Sequence, residues 1–129
     1  MIGLDTSVVL AILEQGGSPR GQAAISLLNQ ADQPCLIHPL VLVEISYALE
    51  AHGLDRGKVA DYLDYILNAP EFELGRPEAV LEALAAYREG SASFSGYLLA
   101  ALNRAAGCDT TLTFNGQTDD SAGFTRLRG

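Results

Sequence analysis

Short apolar runs alternate along the chain with longer segments in which apolar residues recur at helical spacing. The short runs predict four strands, of which the third is the weakest, at residues 2–5, 35–37, 72–74 and 110–114. The spaced segments predict six helices, at residues 8–13, 19–28, 39–52, 56–67, 77–87 and 94–106. Strands that alternate with helices are typical of βα units, so the pattern predicts an α/β fold around a parallel sheet. The polar segment after Asn115 predicts no clear element.

Polar residues that favour helix N-termini mark where these helices begin. Ser18, Asp55 and Ser93 stand directly before predicted helices, and Thr6 or Ser7 is expected to cap the first one. Such a residue accepts a hydrogen bond from a backbone N–H that the first helical turn leaves without a partner. The capping residue and the N–H group that it binds lie only a few positions apart, so the N-termini of these helices are predicted from local sequence.

The length and composition predict one domain spanning residues 1–129, because 48% of the 129 residues are apolar and 19% are charged. No apolar run approaches the roughly 20 residues of a membrane-spanning helix. No basic region precedes an apolar stretch at the N-terminus, so we expect no signal peptide, no membrane partner and a cytoplasmic location.

The charge balance is strongly acidic. Sixteen acidic residues against eight basic ones give a net charge of −8. This balance argues against a protein that coats nucleic acid, whose affinity comes from positive charge. It is compatible with an enzyme that holds nucleic acid through metal ions and a few arginines, and with a protein that binds a basic partner. Arg104, Arg126 and Arg128 are interpreted as solvated surface residues, with contact to phosphate as the alternative.

Few residues suit a transition metal or a nucleotide. Cys35 and Cys108 are too few and too far apart for a metal cluster, and we expect two buried, reduced thiols. His38 and His52 are interpreted as structural or surface residues. The sequence has no G-x-x-x-x-G-K-[ST] phosphate loop, so we expect no nucleotide cofactor.

Two carboxylates are predicted to meet at one edge of the sheet. Asp5 ends the first strand, and Glu44 lies in the second turn of the helix that follows the second strand. Helical side chains tilt toward the N-terminus of their helix, so Glu44 is expected to point toward the edge that carries Asp5. Ligands of open parallel sheets bind at that edge. The alternative is that Glu44 faces solvent or pairs with an arginine.

Four segments, in this order and spacing, resemble the PIN domain, and most closely the VapC-type toxins of bacterial toxin–antitoxin systems. They read IGLDTS at residues 2–7, PLVLVEI at 39–45, LLAALNRAAGC at 98–108 and LTF at 112–114. The resemblance implies a three-layer α/β/α fold with a short parallel sheet flanked by helices. It implies an endoribonuclease that depends on Mg²⁺ or Mn²⁺ and acts on single-stranded or loop RNA. It also implies a homodimer with an antitoxin-like protein partner.

The resemblance assigns two acids of the family's site directly. Asp5 matches the first acid and Glu44 the second, and both are candidate catalytic and metal-binding residues. Carboxylate oxygens are the ligands that such hard divalent ions prefer. Thr6 or Ser7 resembles the helper hydroxyl beside the metal.

The family's remaining acids are missing from this sequence. Where relatives read D-F-x-D-A-L, this chain reads SFSGYL, which places Ser93 and Gly96 at the two acidic positions. The fourth acid falls on Asn115, which still offers an oxygen ligand. Asp119 or Asp120 in the tail are candidates to supply the missing charge. We therefore expect weak metal binding, because fewer negative charges offset the dehydration of the ion.

The depleted acids leave the activity open. The leading hypothesis is a VapC-like toxin that cuts RNA. The alternatives are a catalytically impaired PIN domain that binds RNA or a protein, and a protein whose role is assembly with an antitoxin-like peptide. Tyr47, Tyr62 and Tyr65 are expected in the core and in a partner interface rather than against nucleobases.

Overall fold

The computed structural model describes residues 1–14, 17–116 and 122–128. The helices within these residues are α1 (Thr6–Leu13), α2 (Pro19–Gln30), α3 (Pro39–Ala51), α4 (Arg56–Asn68), α5 (Pro77–Glu89) and α6 (Phe94–Ala105). The strands are β1 (Ile2–Gly3), β2 (Cys35–Ile37), β3 (Phe72–Leu74), β4 (Thr111–Thr113) and β5 (Phe124–Arg126). Helices flank a short parallel sheet, as the three-layer α/β/α prediction requires.

Local sequence signals determine most of the helix starts. The side chains of Ser18, Asp55 and Ser93 each accept a backbone N–H from the first turn of their helix, at 3.0, 2.9 and 3.1 Å. These three caps confirm the predictions. The prediction for α1 is wrong, because the helix begins after Asp5, and no side chain caps it. The hydroxyl groups of Thr6 and Ser7 are directed instead to carboxylates.

The described strands form two parallel sheets. In the first, the order is β1-β2-β3, with Gly3 beside Leu36 and Ile37 beside Leu74. Because all three strands run in one direction, their carboxyl ends lie at a common edge, from which α1 and α3 start. In the second, β4 pairs with β5. The polar tail gave no signal for β5, which gains its partner only in the folded chain.

Apolar faces of the helices pack around the first sheet. The fully buried side chains include Val9, Ile37, Leu42, Ile45 and Leu63. No helix of the described residues is long and apolar enough to cross a membrane.

Two predictions about burial are wrong. Cys35 is buried as expected, but Cys108 is exposed, because α6 ends at Ala105 and Cys108 lies beyond it, after Gly107. Tyr47, Tyr62 and Tyr65 are not core residues, because all three rings are substantially exposed on α3 and α4. Their burial was inferred from helical spacing. This spacing shows which residues share one face of a helix, but it does not show how much of that face neighbouring elements cover.

Candidate active site

Asp5 lies at the turn between β1 and α1. The preceding residue, Leu4, is buried, and its N–H donates to the Leu36 carbonyl at 3.0 Å, which continues the pairing of β1 with β2. The Asp5 carbonyl accepts the first N–H groups of α1, so the backbone of Asp5 is held on both sides. Its carboxylate is exposed, and Ser7 Oγ donates to Asp5 Oδ2 at 3.0 Å. The site therefore has a firmly held backbone and an accessible acid.

Glu44 approaches the same place from α3. Pro39 begins this helix, and His38 precedes it as a cap whose ring nitrogen accepts the Leu40 N–H at 3.0 Å. Thr6 Oγ1 donates to Glu44 Oε1 at 2.8 Å. Glu44 is exposed and is bonded to this hydroxyl rather than to an arginine. The structure thus brings Glu44 against the residue that directly follows Asp5.

At the start of α6, where the resemblance predicts a third acid, the structure has a chain of hydroxyl groups. Ser93 caps α6, and its Oγ lies 3.0 Å from Ser95 Oγ. Ser95 Oγ in turn lies 2.6 Å from the hydroxyl of Tyr47, one turn beyond Glu44 on α3. The first turn of α6 is therefore joined to α3 by neutral hydroxyl groups.

Gly96 leaves room for a side chain. A Cβ at this position would lie 3.4 Å from Ser93 Oγ and 3.8 Å from the ring of Phe124, both ordinary contact distances. The backbone of Gly96 is in a conformation open to other residues. The absence of a carboxylate at position 96 thus has no steric cause in the surrounding backbone.

The remaining predicted site residues lie at or beyond β4. Asn115 is exposed just past the end of β4, and its N–H donates to Thr113 Oγ1 at 3.0 Å. Asp119 and Asp120 fall outside the described residues. Among the candidate phosphate contacts, Arg126 and Arg128 are exposed, whereas Arg104 pairs with Glu82.

The donors around Asp5 and Glu44 fit a magnesium-type ion only in part. Both carboxylates and both hydroxyls offer oxygen, and Mg²⁺ is commonly held by one or two carboxylates while waters and substrate phosphates complete its shell. One oxygen of each carboxylate accepts a hydroxyl, and the other has no hydrogen-bond partner among the described residues. Those residues contain no group of three or more His, Cys, Asp or Glu side chains placed to hold a metal.

Sequence reasoning missed the contribution of Tyr47 and Ser95. The available signal was the i, i+3 spacing of Glu44 and Tyr47, which places both on one face of α3. The contact to Ser95 bridges 48 positions, and no local pattern indicates it.

The model of the PIN domain family matches residues 2–121, and the chain belongs to this family. Membership indicates a nuclease-like function, since PIN domains are generally nucleases that depend on divalent metal ions. No curated protein and no solved structure matches the chain.

Proposed function

We propose that this protein is a VapC-like toxin, an endoribonuclease that depends on Mg²⁺ or Mn²⁺ and binds its metal weakly. The observation that carries the proposal is the 2.8 Å hydrogen bond from Thr6 to Glu44, which joins the start of α1 to α3 beside Asp5. Two acids that lie 39 positions apart in the sequence thereby approach one edge of the parallel sheet, the edge at which such sheets bind ligands.

In this proposal each residue has a distinct task. Asp5 and Glu44 hold the cation through their oxygens, while Ser7 and Thr6 orient the two carboxylates by donating one hydrogen bond to each. A bound divalent ion supplies an activated water and stabilises the charge on the scissile phosphate. Asn115 is an additional oxygen ligand, and Ser93 supports water around the site through hydrogen bonds.

The decisive test is metal-dependent cleavage of single-stranded RNA by the wild type, Asp5→Asn and Glu44→Gln. We expect each substitution to lower the rate at least about 100-fold, because each removes a charge that offsets the dehydration of the cation. Matched controls are Asp32→Asn and Glu71→Gln, which remove exposed carboxylates elsewhere on the surface. Circular dichroism checks that all four variants are folded. Equal cleavage by the site variants and the controls would contradict the proposal.

The depleted acids are tested by Gly96→Asp, with Gly96→Asn as a control of the same size without the charge. The space around Gly96 accommodates both side chains at their Cβ atoms. We expect only Gly96→Asp to bind Mn²⁺ more tightly in calorimetry and to cut RNA faster. Robust wild-type cutting with no gain from Gly96→Asp would show that the site is complete, and Asp119 and Asp120 would then be the first candidates for the missing charge.

The second candidate function is a catalytically impaired PIN domain that binds RNA or a protein. The observation that favours it is the neutral chain of Tyr47, Ser95 and Ser93 in place of an acid. Under this alternative the wild type binds single-stranded RNA or a protein partner but does not cut RNA at millimolar Mn²⁺, and Gly96→Asp introduces cutting.

The assembly that we propose is a cytoplasmic homodimer of single-domain chains, residues 1–129, with an antitoxin-like protein as partner. It is supported by exposed large apolar side chains on several helices, including Leu40, Tyr65, Leu81 and Leu99. A stable two-fold interface buries on the order of 1,200–2,000 Å² in total. Sedimentation at tens of micromolar that shows only monomers would contradict the dimer.

A further inference from the structure

Tyr47 lies directly beside the candidate active site. Residues i and i+3 of a helix share a face, so Tyr47 is a neighbour of Glu44 on α3. The Cβ atoms of two such residues are about 5–6 Å apart. The side chain is 49% exposed, although it follows the buried residues Ile45 and Ser46. A large aromatic surface is therefore open to solvent within one helical turn of a proposed metal ligand.

The ring of Tyr47 is held at both ends. Its Cβ belongs to α3, and its hydroxyl lies 2.6 Å from Ser95 Oγ on α6. Ser95 is in turn bonded to Ser93, the residue that caps α6. The exposed rings of Tyr62 and Tyr65 differ, because their hydroxyls make no hydrogen bond within the described part of the chain. A fixed ring loses little side-chain freedom when a ligand stacks on it, so binding there carries a smaller entropic cost.

We infer that Tyr47 is a stacking platform for an unpaired nucleobase of the RNA strand whose phosphate lies at Asp5 and Glu44. This inference rests on the proposed function and names the part of the substrate that the site recognises. For Tyr47 it replaces the sequence-based interpretation as a core or interface residue, because the ring is exposed and its hydroxyl is held by Ser95. Aromatic stacking is largely insensitive to base identity, and it needs a base whose face is not covered by pairing. Tyr47 is thus a substrate-contacting residue that favours single-stranded over duplex RNA.

Stacking on Tyr47 matters for RNA binding because the protein is strongly acidic. With a net charge of −8 the chain repels a phosphate backbone, and the acids of the site add to the repulsion. Stacking on an uncharged ring beside the site favours RNA binding and needs no positive charge on the protein. Its contribution is therefore expected to persist at salt concentrations that screen ionic contacts.

The absence of tryptophan from the chain allows a direct test. Tyr47→Trp introduces a sole indole at the proposed platform, and Tyr65→Trp introduces one at a 57%-exposed tyrosine on α4 as the matched control. Both are made in the Asp5→Asn background, so that the strand stays intact. We expect single-stranded RNA to quench the first indole strongly and the control weakly. A duplex of the same sequence, and an abasic strand with the same phosphates, should quench neither strongly.

The affinity of the otherwise unchanged chain for single-stranded RNA, measured without Mg²⁺ or Mn²⁺ so that the strand stays intact, gives an independent readout. Tyr47→Leu, which removes the ring, should raise the Kd about 5- to 150-fold, and Tyr47→Phe, which keeps it, should raise the Kd much less. Thermal unfolding checks that both variants are folded.

The outcomes separate this inference from the proposed function. RNA cutting that depends on Glu44, combined with equal Kd values for wild type and Tyr47→Leu, would overturn the stacking role and leave the nuclease standing. No binding and no cutting of single-stranded RNA by any variant would overturn both. A response of the indole at position 47 to a basic protein partner but not to RNA would assign the ring to a protein interface and overturn the inference.

Discussion

Two regions lie on either side of the start of α6, and they differ in how their polar side chains are placed. In one region these side chains are bonded inside the protein, and in the other they are exposed to solvent. On one side, where α4, α5 and α6 meet, the side chains of Tyr87, Phe94 and Tyr97 are buried. On the other side, at the edge of the first sheet, Asp5 and Glu44 are exposed. We refer to the first region as the helix junction and to the second as the sheet edge.

In the helix junction the polar groups have their partners inside the protein. Arg56 Nη1 donates to the carbonyls of Tyr87 and Ala92, both at 2.8 Å, and its guanidinium lies 4.3 Å from the centroid of the Tyr87 ring. The Tyr97 hydroxyl accepts the N–H groups of Ser91 and Ala92. No buried side-chain nitrogen or oxygen of the described residues lacks a hydrogen bond. These bonds connect the helices, so the polar groups of the junction stabilise the fold.

At the sheet edge the polar groups are bonded mainly to one another. Thr6 and Ser7 each donate one hydrogen bond to a carboxylate and leave that carboxylate accessible. Exposed groups of this kind contribute little to folding, because water replaces their partners in the unfolded chain. Burial, rather than polarity, therefore distinguishes the residues that stabilise this fold from those available to a ligand.

The largest expected effect contrasts a buried phenylalanine of the helix junction with an exposed phenylalanine outside both regions. Phe94 is 1% exposed in the junction and stands edge-on to Tyr87 at a centroid distance of 6.0 Å, whereas Phe114 is 71% exposed beyond β4. Phe94→Ala should lower the free energy of unfolding by about 3–5 kcal/mol, because it leaves a cavity. Phe114→Ala should change it by less than about 0.5 kcal/mol. Urea unfolding followed by circular dichroism measures both, and equal losses would show that burial does not distinguish the residues that stabilise this fold.

A smaller contrast is expected at the two glycines that flank the start of α6. A Cβ at Gly90 would overlap the Tyr97 hydroxyl and lie 2.9 Å from the Ala86 carbonyl oxygen, so Gly90→Ala should cost about 1–3 kcal/mol. At Gly96 the nearest atom is 3.4 Å away, and Gly96→Ala should stabilise the protein by up to about 1 kcal/mol through helix propensity. Thermal unfolding of the two variants checks the opposite signs. A loss at both positions would show that the surroundings of Gly96 are as tightly packed as those of Gly90.

The smallest expected effect is a dependence on alkaline pH. Burial raises the pKa of Tyr87 to about 12, and the hydrogen bond to Glu50 adds to the shift. The neutral phenol is favoured in the folded state, so this contribution to stability is fully present below pH about 10 and is lost as the pH rises toward 12. Tyr87→Phe should lower the free energy of unfolding by about 1 kcal/mol at neutral pH.

Urea unfolding of wild type and Tyr87→Phe between pH 8 and pH 11 tests this effect. The difference between the two proteins should shrink above pH about 10, because only the wild type loses the Tyr87 contribution. Groups that both proteins share cancel in the comparison. A difference that stays constant over this range would show that the Tyr87 phenol titrates as in the unfolded chain.

Part of the sheet edge could be predicted because its signals are local. Asp5 ends an apolar run, and Glu44 interrupts one within a helix that starts at Pro39. The resemblance to the PIN domain rested on the same segments, and the family match over residues 2–121 confirms it. The VapC-type assignment, the metal and the homodimer remain proposals.

Residue patterns alone were sufficient to predict the alternation of helices and strands, the caps at Ser18, Asp55 and Ser93, and the residues available for chemistry. These features depend on interactions between residues within about four positions of one another, so they can be recognised directly in the sequence. The exposure of Cys108, the pairing of β5 with β4 and the hydrogen bonds between particular hydroxyls and acids follow only from the folded structure. The Thr6–Glu44 and Tyr47–Ser95 contacts join residues 38 and 48 positions apart. Such pairs meet only when the packing of whole helices against the sheet sets the distance between them, and that packing is a property of the folded chain rather than of any segment.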